Sequence, residues 1–257
     1  MSTIPPLPGG VGLTHLQVYD SPAPDGLRGG SPHLHLCCTE AYYVLNGRGR
    51  VQTLDTSGFA EWPLEPGGVV WFSPGVIHRL INEDGALEIL VVMANAGLPE
   101  AGDFVLTFAP DILADPARYF ELASLSPRGE VFASGDAAAQ RRRDWAVEGF
   151  AVWRREFEKR GAAALDEFYT AAQRLIAPKL DTWRETWERG PLAAVQATGA
   201  QLAVLAAGDV THLRQGAVAA WPAPADERKR GMCGTLGTYW SEGVLLAPLA
   251  GGQVRAE

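Results

Sequence analysis

Between Gly30 and Asn82 the chain is broken by glycine-bearing turns roughly every ten residues, and the stretches between them are too short for helices. Asn46-Gly47 is a two-residue hairpin signal, Ser57-Gly58 marks a further turn, and Pro66-Gly67-Gly68 and Glu83-Asp84-Gly85 punctuate the chain beyond it. Period-2 patterning predicts strands over 13–19, 33–36, 41–45, 50–54, 69–72, 76–81 and 86–94, with 104–108 as a last one. Many short strands at this spacing make a closed barrel or a two-sheet sandwich.

Three of the five histidines fall in this window. Side chains two apart on a strand share a face, so His33 and His35 can aim inward together. A shift of parity over 37–39 would bring Glu40, Tyr42 and Val44 to the same interior, and alternation sends His78 in and Arg79 out. Two imidazoles from one strand, a carboxylate from the next and a third imidazole from a distant strand form a pocket of N, N, N and O donors. That set suits first-row divalent metals with positions left open for substrate. Tyr42 is the candidate to support Glu40; His15, on an earlier strand, reads as a surface or packing residue.

The window resembles the cupin superfamily. Its first motif, G-x5-H-x-H-x(3,4)-E-x6-G, is matched by His33, His35, Glu40 and Gly47; Leu27 stands at the leading glycine, with Gly26, Gly29 and Gly30 nearby. The second, G-x5-P-x-G-x2-H-x3-N, is matched by Gly67, Gly75, His78 and Asn82, while Ser73 takes the proline's place and Pro74 comes next. The resemblance spans roughly residues 10 to 110 and implies a double-stranded β-helix, or jelly roll, with His33, His35, Glu40 and His78 as metal ligands. Fe(II) is the favoured ion, with Ni, Mn or Zn as alternatives. The histidine cluster occurs once, so a single barrel is expected.

Near residue 110 the period changes from 2 to 3.6. A short helix is predicted over 111–122, and a longer one from Asp136, read as its N-cap, to Arg160, stopped by Gly161. A third, over 163–177, carries Leu165, Phe168, Ala172 and Ile176 on one stripe and ends at Pro178. Trp183 and Trp187 share a face of the next, and 192–207 forms another. Four tryptophans between 145 and 187 are expected to pack the helical layer, and 239–249 to return as a strand to a sheet edge. The organisation expected is thus mainly β: a barrel with an N-terminal arm over 1–110 and a mostly α-helical region over 111–257.

The net charge of −8 opposes binding to nucleic acid, and the one basic triplet, Arg141-Arg142-Arg143, reads as a solvated helix face. The start lacks the charged and apolar regions of a signal peptide, and no apolar run reaches membrane-spanning length. Three cysteines, Cys37, Cys38 and Cys233, fit free thiols in a reducing cytoplasm. Open barrel edges and an apolar arm over 4–7 predict a homodimer.

Three activities are compatible with such a pocket: an oxygenase whose small polar substrate chelates the metal, a sugar isomerase or epimerase, and a non-catalytic binding module. Glu40 and Tyr42 are the catalytic candidates. Lysine is absent before Lys159, and the barrel's arginines are Arg28, Arg48, Arg50 and Arg79. Of these Arg28 alone is expected near the pocket, so a phosphorylated substrate lacks convergent cations and the oxygenase leads.

Overall fold

The computed structural model describes residues 7–125, 135–218, 220, 223 and 228–239. Its strands are β1 (Gly12–Val18), β2 (His33–Leu34), β3 (Glu40–Asn46), β4 (Gly49–Asp55), β5 (Gly58–Leu64), β6 (Val69–Phe72), β7 (Ile77–Asn82), β8 (Glu88–Met93), β9 (Val105–Leu106), β10 (Lys229–Arg230) and β11 (Gly234–Thr238). They form two antiparallel sheets, one in the order β10-β11-β1-β8-β3-β6 and one in the order β5-β4-β7-β2-β9. The inner faces enclose a core of Leu16, Val44, Val51, Leu64, Leu80 and Ile89. This is the two-sheet β-sandwich expected, with a helical C-terminal region.

The expected turns account for most strand ends. At Gly47 φ is +72°, and an added Cβ would lie 2.3 Å from the Ala86 carbonyl, so the β3–β4 hairpin admits only glycine there. Asn82, the last residue of the second motif, is a buried tie rather than a site residue. Its Nδ2 donates to Val18 O at 3.1 Å and its Oδ1 accepts from Gly85 N at 2.9 Å.

Two strand assignments need correction. β5 is absent from the expected strands; its Pro63 is tolerated because β5 lies at a sheet edge, where a missing N–H breaks no ladder. The strand expected over 33–36 stops at Leu34, because Leu36 N and Cys37 N turn instead to the Asp103 carboxylate at 2.9 and 3.1 Å.

The helices are α1 (Pro110–Leu113), α2 (Pro116–Ala123), α3 (Gly135–Arg160), α4 (Ala162–Ile176), α5 (Leu180–Trp187) and α6 (Ala193–Ala206). The helix expected over 111–122 is two, because Pro116 opens a new one behind Asp115, whose Oδ1 accepts from Arg118 N at 3.2 Å. Asp136 lies inside the first turn of α3 rather than at its cap, and its carboxylate accepts from Arg230 Nε at 2.6 Å.

The helices cover the outer face of the five-stranded sheet. Leu34, Leu54, Ile77 and Leu106 from the sheet meet Phe150, Trp153, Phe168 and Leu175 from α3 and α4. At roughly 1.5–3 kcal/mol per large buried apolar side chain, this layer rivals the barrel's own core. Trp153 and Trp183 are buried as expected, whereas Trp187 is 38% exposed. The arginine triplet is no solvated face either. Arg142 and Arg143 are buried, their donors taken up by carbonyls: Arg142 Nη2 donates to Gly231 O and Arg143 Nη2 to Pro22 O, both at 2.7 Å. α3 thereby staples the loop after β1 and the β10–β11 turn to the barrel.

A returning strand does exist at the sheet edge, but it is β11, which pairs with β1 from Thr14↔Thr238 to Val18↔Gly234. The strand expected over 239–249 lies, from residue 240 on, outside the described residues, as do residues 1–6 of the arm. Among the described residues no helix is long and apolar enough to cross a membrane.

Candidate metal centre

β2 and β7 are neighbours, and their register sets His33 directly opposite His78. β3 enters from the facing sheet and presents Glu40 and Tyr42 inward, as alternation requires. His35, one residue past β2, points into the same space. His33, His35, Glu40 and His78 are all buried, and one ligand atom from each lies within 4.8 Å of the others. Glu40 Oε2 is 3.3 Å from His35 Nε2 and 3.1 Å from His78 Nε2.

The orientation of the rings is fixed from behind. His33 Nδ1 donates to Ser31 O at 2.8 Å, His78 Nδ1 to Val76 O at 3.0 Å, and His35 Nδ1 to the carbonyl of Asp103. A carbonyl can only accept, so in each neutral ring the proton sits on Nδ1 and the Nε2 lone pair faces the centre. Despite their proximity, His78 Nε2 and Glu40 Oε2 have no aligned hydrogen-bond partner among the described residues. Buried polar atoms left open in this way are rare, and a divalent cation would satisfy them. The residues present therefore fit a metal, held by three Nε2 atoms and the Glu40 carboxylate.

The electrostatics of the pocket agree. Burial, reinforced by His78 and His35, holds His33 well below the ordinary imidazole value, so it is neutral and able to coordinate. Burial also opposes charge on His35 and Glu40, but the attraction between the imidazoles and the carboxylate outweighs it; His35 is raised and Glu40 lowered. Tyr42 is raised well above the usual phenol value, first by burial and then by Glu40, and so keeps its proton.

The centre opens on a cavity of about 270 Å³ between the sheets, walled by Leu16, Val91, Met93, Phe104, Met232 and Leu236. Cys233 lines it too. Gly30 lets that segment close in, since a Cβ on Gly30 would lie 2.6 Å from Cys233 Cα. The wall spans both sheets: Tyr19 N donates to Cys233 O at 3.0 Å and Ser31 N to Met232 O at 2.9 Å.

All four expected ligands and Tyr42 come together. His15 stands apart, with its Nε2 2.8 Å from Glu88 Oε2. Arg28, expected nearest the pocket, does not line the cavity; its guanidinium donates to Glu83 O. Arg79 points away from the cavity but is buried, donating to the Asp25 carboxylate and to Gly30 O. The cation at the cavity is Arg230, which sequence reading missed, as it missed Asp103 and the wall formed by Met232 and Cys233. No local pattern marks these residues.

Two facing antiparallel sheets around a buried three-histidine, one-carboxylate cluster define a β-sandwich with a candidate metal site. Residues 23–93 match the family model described as Cupin domain. A glucose-6-phosphate isomerase of Thermococcus gammatolerans is 45% identical over 47 residues, 18% of this chain and 25% of that protein. The chain thus spans about a quarter of the length of the curated relative it matches. Among solved structures, oxalate decarboxylase from Bacillus subtilis is similar at 24% identity and a TM-score of 0.24, over 26% of this chain and 17% of that one. A putative sugar phosphate isomerase from Acidithiobacillus ferrooxidans matches at 28% identity and a TM-score of 0.26, over 32% and 49%. TDP-fucose-3,4-ketoisomerase from Campylobacter jejuni matches at 14% and 0.30, over 36% and 64%.

Proposed function

We propose that this chain is a metal-dependent enzyme of oxygenase type, acting on a small molecule with a chelating polar head and an apolar body. The observation that carries the reading is the junction of the four convergent ligands with a cavity whose walls are chiefly apolar. Iron(II) is the favoured ion, with nickel, manganese and zinc as alternatives. Bound there, the metal would supply Lewis acidity to a chelated substrate and, as iron, electrons to dioxygen.

The chain's own residues do the rest. The Nδ1–carbonyl bonds hold the three imidazoles in place, so that substrate meets a preorganised site. Glu40, ionised and in contact with His35 and His78, is placed to take a proton from an enol, thiol or hydroxyl at the centre. Tyr42, two residues along the same strand face, brings a protonated phenol whose oxygen has no hydrogen-bond partner among the described residues. It is set to donate to a substrate oxygen. The walls from Leu16, Val91 and Phe104 exclude water from the head group.

A sugar isomerase is the second reading, favoured by the 47-residue match to glucose-6-phosphate isomerase. Against it, a phosphate calls for convergent cations. Arg230 is the one cation among the cavity-lining residues; it is engaged with Asp136, and Glu100 lines the same cavity. The walls also offer few partners to a ring of hydroxyls.

Metal analysis of protein purified without chelator, followed by oxygen-uptake screening against enols, thiols and hydroxy acids, tests the reading. A divalent ion near one per chain and oxygen consumption lost in Tyr42→Phe or Glu40→Gln support it. Isomerisation of a sugar phosphate without oxygen uptake would overturn it in favour of the second reading.

A further inference from the structure

The seam between the two sheets carries a second cavity, apart from the metal centre. β5 and β6 each end their sheet, and between them runs a groove of about 860 Å³. Small-molecule sites typically enclose roughly 300–1,000 Å³. Phe72 divides the groove from the metal centre. Its ring lies 4.2 Å, centroid to centroid, from that of His78, yet it lines the groove and not the metal cavity.

Trp62 is the groove's flat wall. Its strand register sets it opposite Val51, a residue of the core between the sheets, so alternation turns Trp62 to the same side. Its place on an edge strand leaves it 50% exposed. The indole Nε1 donates to Thr53 Oγ1 at 3.0 Å, and Thr53 is buried. The one polar atom of the ring is thereby satisfied, and the rest is held as a fixed apolar plate.

Short polar side chains border this plate. Thr39, Asp55, Ser57 and Ser73 line the groove. The hydroxyls of Thr39, Ser57 and Ser73 make no hydrogen bond among the described residues. Asp55 Oδ1 accepts from Ser57 N at 2.7 Å, which leaves Oδ2 open among the same residues. Past Asp55, Ser57 and Ser73 the groove continues into a cavity of about 480 Å³ beside α4, where the Tyr169 hydroxyl donates to Gly75 O at 2.9 Å. There is room for more than one small ring.

We propose that this groove binds a neutral saccharide, one pyranose ring stacked on Trp62 with its hydroxyls on Asp55, Ser57 and Ser73. A pyranose carries C–H bonds on its faces and hydroxyls around its rim, so it matches an apolar plate with a polar border. The negative face of the indole attracts the C–H hydrogens. The carboxylate accepts from sugar hydroxyls in charge-assisted bonds. Charge decides the form of the sugar. Asp55 is the one charged group among the lining residues, and Arg154, 3.6 Å over the Phe59 ring, is not one of them. A sugar phosphate would meet a carboxylate and no cation. A planar aromatic ligand would stack, but it would desolvate Asp55 and the hydroxyls without replacing their bonds to water. Sugar held here lies behind Phe72, apart from a substrate chelated at the metal, whatever reaction runs there.

Titration of the full metal-loaded chain with cellobiose, followed by tryptophan fluorescence and calorimetry, should give a Kd of about 1 mM or below. Trp62→Ala should weaken binding by about 10-fold, whereas Trp62→Tyr, which keeps a ring, should hold it within about threefold. Circular dichroism and metal content should be unchanged in both. If Trp62→Ala does not fold, Ser73→Tyr, which fills the groove from an exposed position, should abolish binding in its place. Removal of the metal by chelator should leave the cellobiose Kd as it was. No response to cellobiose or methyl β-glucoside at about 50 mM would overturn the proposal. So would full affinity in Trp62→Ala, or tighter binding of phenol or glucose 6-phosphate than of cellobiose. Loss of sugar binding on chelation would also overturn it, by placing the sugar at the metal centre and favouring the isomerase reading.

Discussion

Asp103 is fully buried and touches no expected ligand with its side chain, yet it sets where His35 points. Its carboxylate accepts from Leu36 N at 2.9 Å and from Cys37 N at 3.1 Å, and its own carbonyl accepts from His35 Nδ1. Asp103→Ala would strand the N–H of half-buried Leu36 and take an acceptor from Cys37, whose backbone water can reach. At about 1–3 kcal/mol for an unsatisfied buried donor, the loss is about 1–3 kcal/mol, a sizeable part of the roughly 5–15 kcal/mol that holds a domain together. Asp103→Asn keeps an acceptor oxygen and removes only the charge assistance, so about 1–2 kcal/mol is expected. Urea denaturation of metal-free protein measures both. The carbonyl that orients His35 survives in either variant, but the loop that holds it loosens, and metal affinity should fall by about 10–100-fold in Asp103→Ala. An Asp103→Ala protein as stable as wild type would refute the reasoning, because the Leu36 N–H would then have found another partner.

Further predictions concern the ligands and the charges around them. His33→Ala with His35→Ala should abolish metal content, measured by elemental analysis, while the sheet core keeps the barrel folded by circular dichroism. Each imidazole must be neutral to coordinate, and Glu40 raises His35 in the metal-free pocket, so metal loss on acidification should begin above the ordinary imidazole value of about 6.5. Glu40→Gln removes the anionic ligand, so in a metal-release titration the variant should lose its ion at higher pH than wild type. Asp25 is lowered: burial opposes its charge, but Arg79 outweighs burial. Its contribution is therefore present above its unfolded value of about 3.9 and lost as pH falls through the folded one. Asp25→Asn should cost about 1–2 kcal/mol at neutral pH, discounted because Asp25 is partly exposed, and the gap to wild type should close in acid.

Sequence alone determined the β-rich first half, its turns and the four candidate ligands that converge in it. Those features are local: a glycine forced to positive φ at Gly47, a two-residue period that binds Glu40 and Tyr42 to one face, a fixed spacing from His33 to His35. The four ligands could be read because each is placed by its own strand's alternation, whatever packs around it. The helical stripe of α4 was legible for the same reason, with a period of 3.6 in place of 2. What alternation cannot say is what lies against the side it points to. Arg79 points outward as its strand requires, and only the folded chain lays Asp25 and Gly30 over it. Arg142 and Arg143 read as solvated because nothing local shows the carbonyls of Gly231 and Pro22, which arrive from opposite ends of the chain. The cavity wall is the clearest case. Met232 and Cys233 join the site some 150 residues after His78, across the whole helical region, through two backbone hydrogen bonds to separate sheets. Backbone bonding carries almost no side-chain signature, so closure of the pocket was a decision of the tertiary structure alone.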